Sequence, residues 1–326
     1  MPAEWEPHSR CWMAWPCFQD LWDEGLNAAQ AGYAAVAQAI SDFEPVTMLA
    51  PPDVVNQARA QCGTTVDMLA VDLDDSWARD AGPNFVKHDN GEVAASIFHF
   101  NAWGQKYPRY RKDAALGHRL AEHLGLRTFS SPLFMEGGGI NLDGEGTLLT
   151  TEQCVLNSNR NPGITKAEAE HEFRHALGIE KVIWLKGDPD DNETDGHVDG
   201  VACFVRPGVV MVEVCPDRSS HRYEAMNENL EAVRCATDAK GRSLEIILIE
   251  EAYEAESASR LFCRSYINFY IANDAVIIPT YGIERDAQAA MIIGQAFPDR
   301  AVVQVDVTGI ACGGGGIHCI TQQQPI

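Results

Sequence analysis

Near the end of the chain four glycines, Gly313 to Gly316, lead into Ile317-His318-Cys319-Ile320-Thr321. A glycine run lets backbone approach a ligand closely. A phosphate-binding loop would need Lys and Ser/Thr next and then a helix, and none of these follows. Two readings stay open: a loop that presents Cys319 as a nucleophile, with Gly315 and Gly316 beside the ligand, or a cysteine buried after a tight turn. Cys312 is the rival thiol. A second cluster is Glu193-Thr194-Asp195-Gly196-His197-Val198-Asp199-Gly200. In an extended chain alternate side chains share a face, so Glu193, Asp195, His197 and Asp199 would point one way. Three carboxylates together need a cation to offset them, and His197 with Asp199 makes a base–carboxylate pair. Just upstream, residues 188–192 read as a solvated acidic loop. Asp80 sits before Gly82-Pro83, a turn signal, and Glu136 precedes three glycines. Either acid serves a turn or faces a substrate.

His171-Glu172-Phe173-Arg174-His175 matches the zinc-hydrolase pattern H-E-x-x-H. On a helical wheel Ala169, Phe173, Ala176 and Leu177 form the apolar face, and His171 and His175 lie roughly opposite. The two histidines are therefore expected to face solvent and to hold no metal.

These residues need a frame. Short apolar runs alternate with helical patterns from end to end, which makes the fold class α/β. Strands are expected at Val46–Ala50, Val182–Leu185, Val209–Val214, Leu244–Ile249, Ala275–Pro279 and Ala301–Val307, the last with Val303, Val305 and Val307 on one face. Helices are expected at 27–41, 112–124, 220–237 and 286–297. No linker interrupts the 326 residues, so one domain is expected over 1–326.

The chain carries 25 basic and 47 acidic residues, a net charge of −22. Such a surface repels phosphate, which argues against nucleic acid and anionic membranes as partners and favours a small cation. The hydrophobic share of 45% excludes a disordered or fibrous chain. None of the ten cysteines forms a C-x-x-C pair. Most of them read as small buried thiols of a reducing, cytoplasmic protein, and no signal peptide or membrane span is recognised. Assembly into a homo-oligomer is left open.

Taken together, the segments Trp77–Pro83, Glu136-Gly137-Gly138, Asp195–Asp199, Ser265–Tyr270 and Gly313–Pro325 resemble the agmatine deiminase family, a branch of the guanidine-modifying superfamily. They occur in family order along nearly the whole chain, and the His-Cys-Ile-Thr-Gln-Gln-Gln-Pro ending is the most specific. The resemblance implies a single-domain α/β propeller (pentein) of five ββαβ-type units and a cofactor-free, metal-free hydrolysis of a guanidinium group. Asp80 and Asp199 would grip the planar cation, Cys319 would attack its central carbon, His197 would move the protons, and Glu136 would orient His197. Trp77, Trp103, Glu193, Asp195 and Asn268 would contact substrate, the acids and indoles suiting the distal ammonium of agmatine. Free or peptidyl arginine is the alternative substrate, with Arg79 available to its carboxylate. A zinc hydrolase using the H-E-x-x-H pattern, an amidinotransferase and a non-catalytic polyamine binder are the remaining, more distant readings. Carboxylates around Cys319 would raise its thiol affinity for protons, so it should react faster with substrate bound unless His197 is charged.

Overall fold

A computed structural model of the chain describes residues 1–22 and 25–326. In chain order the strands are β1 (His8–Ala14), β2 (Val46–Ala50), β3 (Val66–Ala70), β4 (Asn84–Lys87), β5 (Val93–His99), β6 (Arg127–Phe134), β7 (Asn141–Leu142) and β8 (Thr147–Thr151). They continue with β9 (Lys181–Leu185), β10 (Ala202–Arg206), β11 (Val209–Val214), β12 (Glu245–Glu250), β13 (Tyr270–Ile271), β14 (Ala275–Thr280), β15 (Ala301–Asp306) and β16 (Thr321–Pro325). The chain divides into two compact units, one of Met1–Glu4 with Asp80–Glu251, the other of Trp5–Arg79 with Ala252–Ile326.

The unit containing Asp80–Glu251 holds the sheets β4-β5-β6, β7-β8-β9 and β10-β11-β12. In each, the middle strand pairs antiparallel with the strand before it and parallel with the strand after it. A parallel neighbour needs a crossover, and helices supply it: Leu116–His123 between β5 and β6, Lys166–Leu177 between β8 and β9, Arg222–Cys235 between β11 and β12. Middle strands buried on both faces read as near-continuous apolar runs, as in β11, Val-Val-Met-Val-Glu-Val, apolar over its first four residues and buried over its first five. The Lys166–Leu177 helix begins at Thr165, whose hydroxyl accepts from the Glu168 N–H while Glu168 caps the Thr165 N–H. It buries Ala169, Phe173, Ala176 and Leu177 and leaves His171 and His175 exposed, as the wheel predicts. Burying Phe173 alone contributes about 2–3 kcal/mol. Phe173 packs in an apolar cluster with Phe98, Leu133, Met135, Leu148 and Cys154, which flanks Glu136 through its chain neighbour Met135.

The other unit holds β13-β14-β15 and β16-β1-β2-β3. β14 lies antiparallel to β13 and parallel to β15, joined by the helix Arg285–Ala296. β1 repeats the arrangement with β16 as its antiparallel and β2 as its parallel neighbour, and β3 adds a further parallel strand. Thus five sheets, counted among the described residues, share one strand polarity.

The expected elements are present with ends shifted by a residue or two. The exception is 112–124, where the structure has two helices, Arg111–Ala114 and Leu116–His123, meeting at Ala115. None of the described helices is long and apolar enough to cross a membrane.

Candidate active site

His197 organises the first group of functional residues, all within the Asp80–Glu251 unit. The segment before it is not the extended chain expected from the sequence. Asp195 and Gly196 have φ of +61° and +74°, and Val198–Gly200 is a turn of 3-10 helix. Asp191 causes the change. Its Oδ1 accepts from the N–H groups of Glu193 and Thr194, and its Oδ2 from those of Gly196 and His197 and from the Thr194 hydroxyl. A carboxylate gathering that many donors curls the chain around itself. The acids expected on one face therefore part company. Asp195 turns to protein cations: Arg160 Nη1 at 2.6 Å, Lys106 Nζ at 2.8 Å, and Asn159 Nδ2 at 2.9 Å. Glu193 accepts from the Tyr107 hydroxyl at 2.6 Å. The acidic stretch upstream is also less solvated than expected, since Asp188 is paired with buried Arg222.

His197 itself is buried. Its Nε2 lies 3.2 Å from Glu136 Oε2, and the other oxygen of Glu136 accepts from Arg160 Nε at 2.8 Å. Nδ1 is buried without a hydrogen-bond partner among the described residues, with Asp80 Oδ1 at 3.9 Å. Asp80 is fixed by the Gly138 N–H and the Trp103 indole N–H, both at 2.9 Å. Trp103 thus holds a carboxylate, where the sequence reading gave it a cation to stack on. It sits in a left-handed run, with φ of +55° at Ala102, +51° at Trp103, +91° at Gly104 and +65° at Gln105. Three of these are not glycine, and such strain persists only where surroundings enforce it. Asn101 does so, accepting from Gly104 N at 2.8 Å and donating to Asn159 O at 2.9 Å.

Gly138 marks where these groups converge. A Cβ there would lie 2.6 Å from His197 Nδ1 and 3.0 Å from both Asp199 Oδ2 and Asp80 Oδ1. Two acceptors and an imidazole nitrogen around one point suit a planar cation carrying N–H groups. The electrostatics agree. Burial would depress the His197 affinity for protons, but Asp80, Cys154 and Glu136 outweigh it and hold it well above the ordinary histidine range. Burial would raise Glu136, but His197 and Arg160 overcome it and keep the carboxylate below its usual range. Asp80 is pushed up, chiefly by burial and against the pull of His197. The donor atoms of Glu136, Cys154 and His197 lie within 4.8 Å of one another. Arg160 already supplies a cation to that cluster.

The second group lies in the other unit. Cys319 is buried at 6% exposure, and Asn268 Nδ2 donates to its sulfur at 3.3 Å. Asn268 Oδ1 in turn accepts from the His318 and Cys319 N–H groups at 3.0 and 3.3 Å. Arg79 fixes the same turn from outside: its N–H donates to Cys319 O and its Nε to His318 O. The sulfur also lies 3.5 Å from Asn268 Oδ1, so the Asn268 amide holds both the turn and the thiol. A Cβ on Gly315 would fall 2.5 Å from Trp77, and one on Gly316 2.6 Å from Asn268. These glycines let the backbone lie against two side chains of the protein itself. Trp77 stacks on Trp22 with centroids 5.6 Å apart. Cys312, the rival thiol, is exposed.

Sequence reasoning missed Arg160 and Cys154. Arg160 is fully buried in a run of asparagines that reads as a plain turn, and Cys154 is one of ten cysteines with nothing to single it out.

The fold is shared with DDAH from Pseudomonas aeruginosa, with a TM-score of 0.54 at 13% identity over 97% of this chain and 99% of that one. An agmatine deiminase structure from Enterococcus faecalis is 35% identical with a TM-score of 0.95, covering 100% of this chain and 95% of the other. Together with the residues above, this defines the class: a hydrolase acting on a guanidino carbon–nitrogen bond. Residues 1–325 match the family model described as Porphyromonas-type peptidyl-arginine deiminase, and the chain belongs to that family. The agmatine deiminase of Pseudomonas aeruginosa is 40% identical over 349 residues, covering 100% of this chain and 95% of the relative.

Proposed function

We propose that this protein is an agmatine deiminase, hydrolysing the guanidinium of agmatine to N-carbamoylputrescine and ammonia. The observation that carries the reading is the convergence of His197 Nδ1, Asp199 and Asp80 around Gly138. In this reading the two carboxylates grip the guanidinium. The Cys319 thiolate attacks its carbon, the carbon–nitrogen bond to the leaving nitrogen breaks, and His197 gives that nitrogen its proton. A thiouronium remains on sulfur. Water then gives one proton to His197 and attacks the carbon, the carbon–sulfur bond breaks, the thiolate returns, and the remaining hydroxyl proton passes to solvent to leave the neutral urea. The reaction needs Cys319 to reach the carbon held by Asp80 and Asp199. A propeller in which the five sheets surround one centre, as a single domain, would meet that need. Glu193 takes the distal ammonium. It is half-buried and its carboxyl is pushed up, chiefly by burial, so a buried cation would stabilise its charge. Asp195, engaged with Arg160 and Lys106, is left out of substrate contact. Ten cysteines that form no disulfide among the described residues suit a reducing cytoplasm.

Arginine and peptidyl arginine are the second reading, favoured by the family description. The cation suggested for their carboxylate, Arg79, is buried and donates to the His318 carbonyl instead. Ammonia release from agmatine, arginine and a peptide ending in arginine separates the readings. Turnover of agmatine well above the others, abolished in Cys319→Ser, is expected. Equal turnover of all three would defeat the ammonium subsite.

A further inference from the structure

Arg160 is the largest charged group in the His197 neighbourhood to which the mechanism above gives no task. Its side chain has no exposed surface. Nε donates to Glu136 Oε1 at 2.8 Å, Nη1 to Asp195 Oδ2 at 2.6 Å and Asn159 Oδ1 at 2.8 Å, and Nη2 to Thr194 O at 3.1 Å. A guanidinium has five N–H groups in a fixed plane, and four are committed here. The partners fall into two sets. Glu136 holds the His197 ring through Nε2. Thr194 and Asp195 belong to the turn that holds the His197 backbone, where the Thr194 hydroxyl accepts from the His197 N–H at 3.2 Å.

We propose that Arg160 is a positioning residue for the hydrolysis: one buried planar cation fixes His197 at both ends, its ring through Glu136 and its backbone through the Thr194–Asp195 turn. The inference rests on the deiminase reading for its catalytic meaning. Lysine would keep the charge but lose the fork, reaching one set of partners only. Methionine would lose both.

The charge has a second consequence. The groups facing Arg160 are Glu136, Asp195 and the Cys154 thiol, with Lys106 beyond Asp195; those facing His197 are Glu136, Asp80 and Cys154, with Asp199 beside Asp80 at the point next to Gly138. Removing a buried positive charge raises the proton affinity of every group that faces it. Glu136 then releases its proton at higher pH, and His197, hydrogen-bonded to Glu136, moves with it because the coupled pair titrates as a unit.

The test compares wild type, Arg160→Lys and Arg160→Met as full-length protein. The pH profile of kcat/KM for ammonia release from agmatine gives the first readout. Arg160→Met should move both limbs of the bell to higher pH by about one unit or more, with kcat falling more than KM changes. Arg160→Lys should leave the limbs near wild type while lowering kcat. The second readout needs no substrate: a carbon-13 NMR titration of the Glu136 carboxyl, assigned with Glu136→Gln, should show the same upward move in Arg160→Met. If Arg160→Met does not fold, Asp195→Asn replaces it. That variant removes a negative charge from Arg160, and its limbs and the Glu136 titration should move to lower pH. Unmoved profiles and an unmoved Glu136 titration in a folded variant would overturn the proposal. Wild type that releases no ammonia from agmatine would overturn the deiminase reading instead, and the NMR titration would still decide the role of Arg160.

Discussion

Gly138 has space for a hydrogen and nothing larger. Its amide N–H holds Asp80, and its missing side chain leaves the point shared by His197, Asp199 and Asp80. Gly138→Ala should keep the fold, since the methyl meets side-chain tips rather than backbone. It should lower kcat/KM by at least about 10²-fold, the cost of misplacing reacting groups by an ångström. Steady-state kinetics beside a circular dichroism spectrum checks this, and near-wild-type kcat/KM would show that the groups do not converge on substrate there. His197, Asp199 and Cys319 stand out in the sequence because each lies in a run of glycines, histidine or acids with no obvious packing use, whereas Asp80 and Glu136 are weak signals by themselves and take their roles from the family resemblance. Arg160 is not. Its importance comes from four contacts made after folding, and an arginine among asparagines gives no periodicity or motif to read.

At the level of the element, the loop from Asn101 to Tyr107 and the turn from Asp191 to His197 work as a pair. Lys106 Nζ joins them, donating to the carbonyls of Asn192 and Glu193 at 2.7 Å and to Asp195. Tyr107 adds the bond to Glu193. The left-handed run at 102–105 is held in place by the Asn101 side chain. Asn101→Ala should release it at a cost of about 1 kcal/mol. Hydrogen exchange over 101–107 should then quicken and kcat/KM should fall, because the Trp103 donor to Asp80 is no longer aimed. Unchanged exchange there would mean that other contacts hold the loop. Neither segment was legible as such. Alternation from Glu193 to Asp199 suggests a strand, but alternation assumes extended backbone, and Asp191 offers the chain a better set of hydrogen bonds.

Across the whole molecule the α/β class and the larger elements were legible because buried middle strands such as β2, β11 and β14 are short, mostly apolar runs, and the crossover helices carry clear apolar faces. The pairing of β16 with β1, which sets His8 opposite Pro325, joins the two ends of the chain and leaves no local signal. The two-residue strands β7 and β13 are too short to show a period. A net charge of −22 acts at this scale too, drawing a dication toward the protein and weakening as salt screens it. The account as a whole depends on a covalent step at one sulfur. Mass spectrometry of enzyme quenched in acid during turnover of agmatine should find Cys319 heavier by agmatine less one ammonia, with no adduct on Cys154 or Cys312. Ammonia release that continues in Cys319→Ser, with no adduct on any cysteine of the wild type, would contradict it.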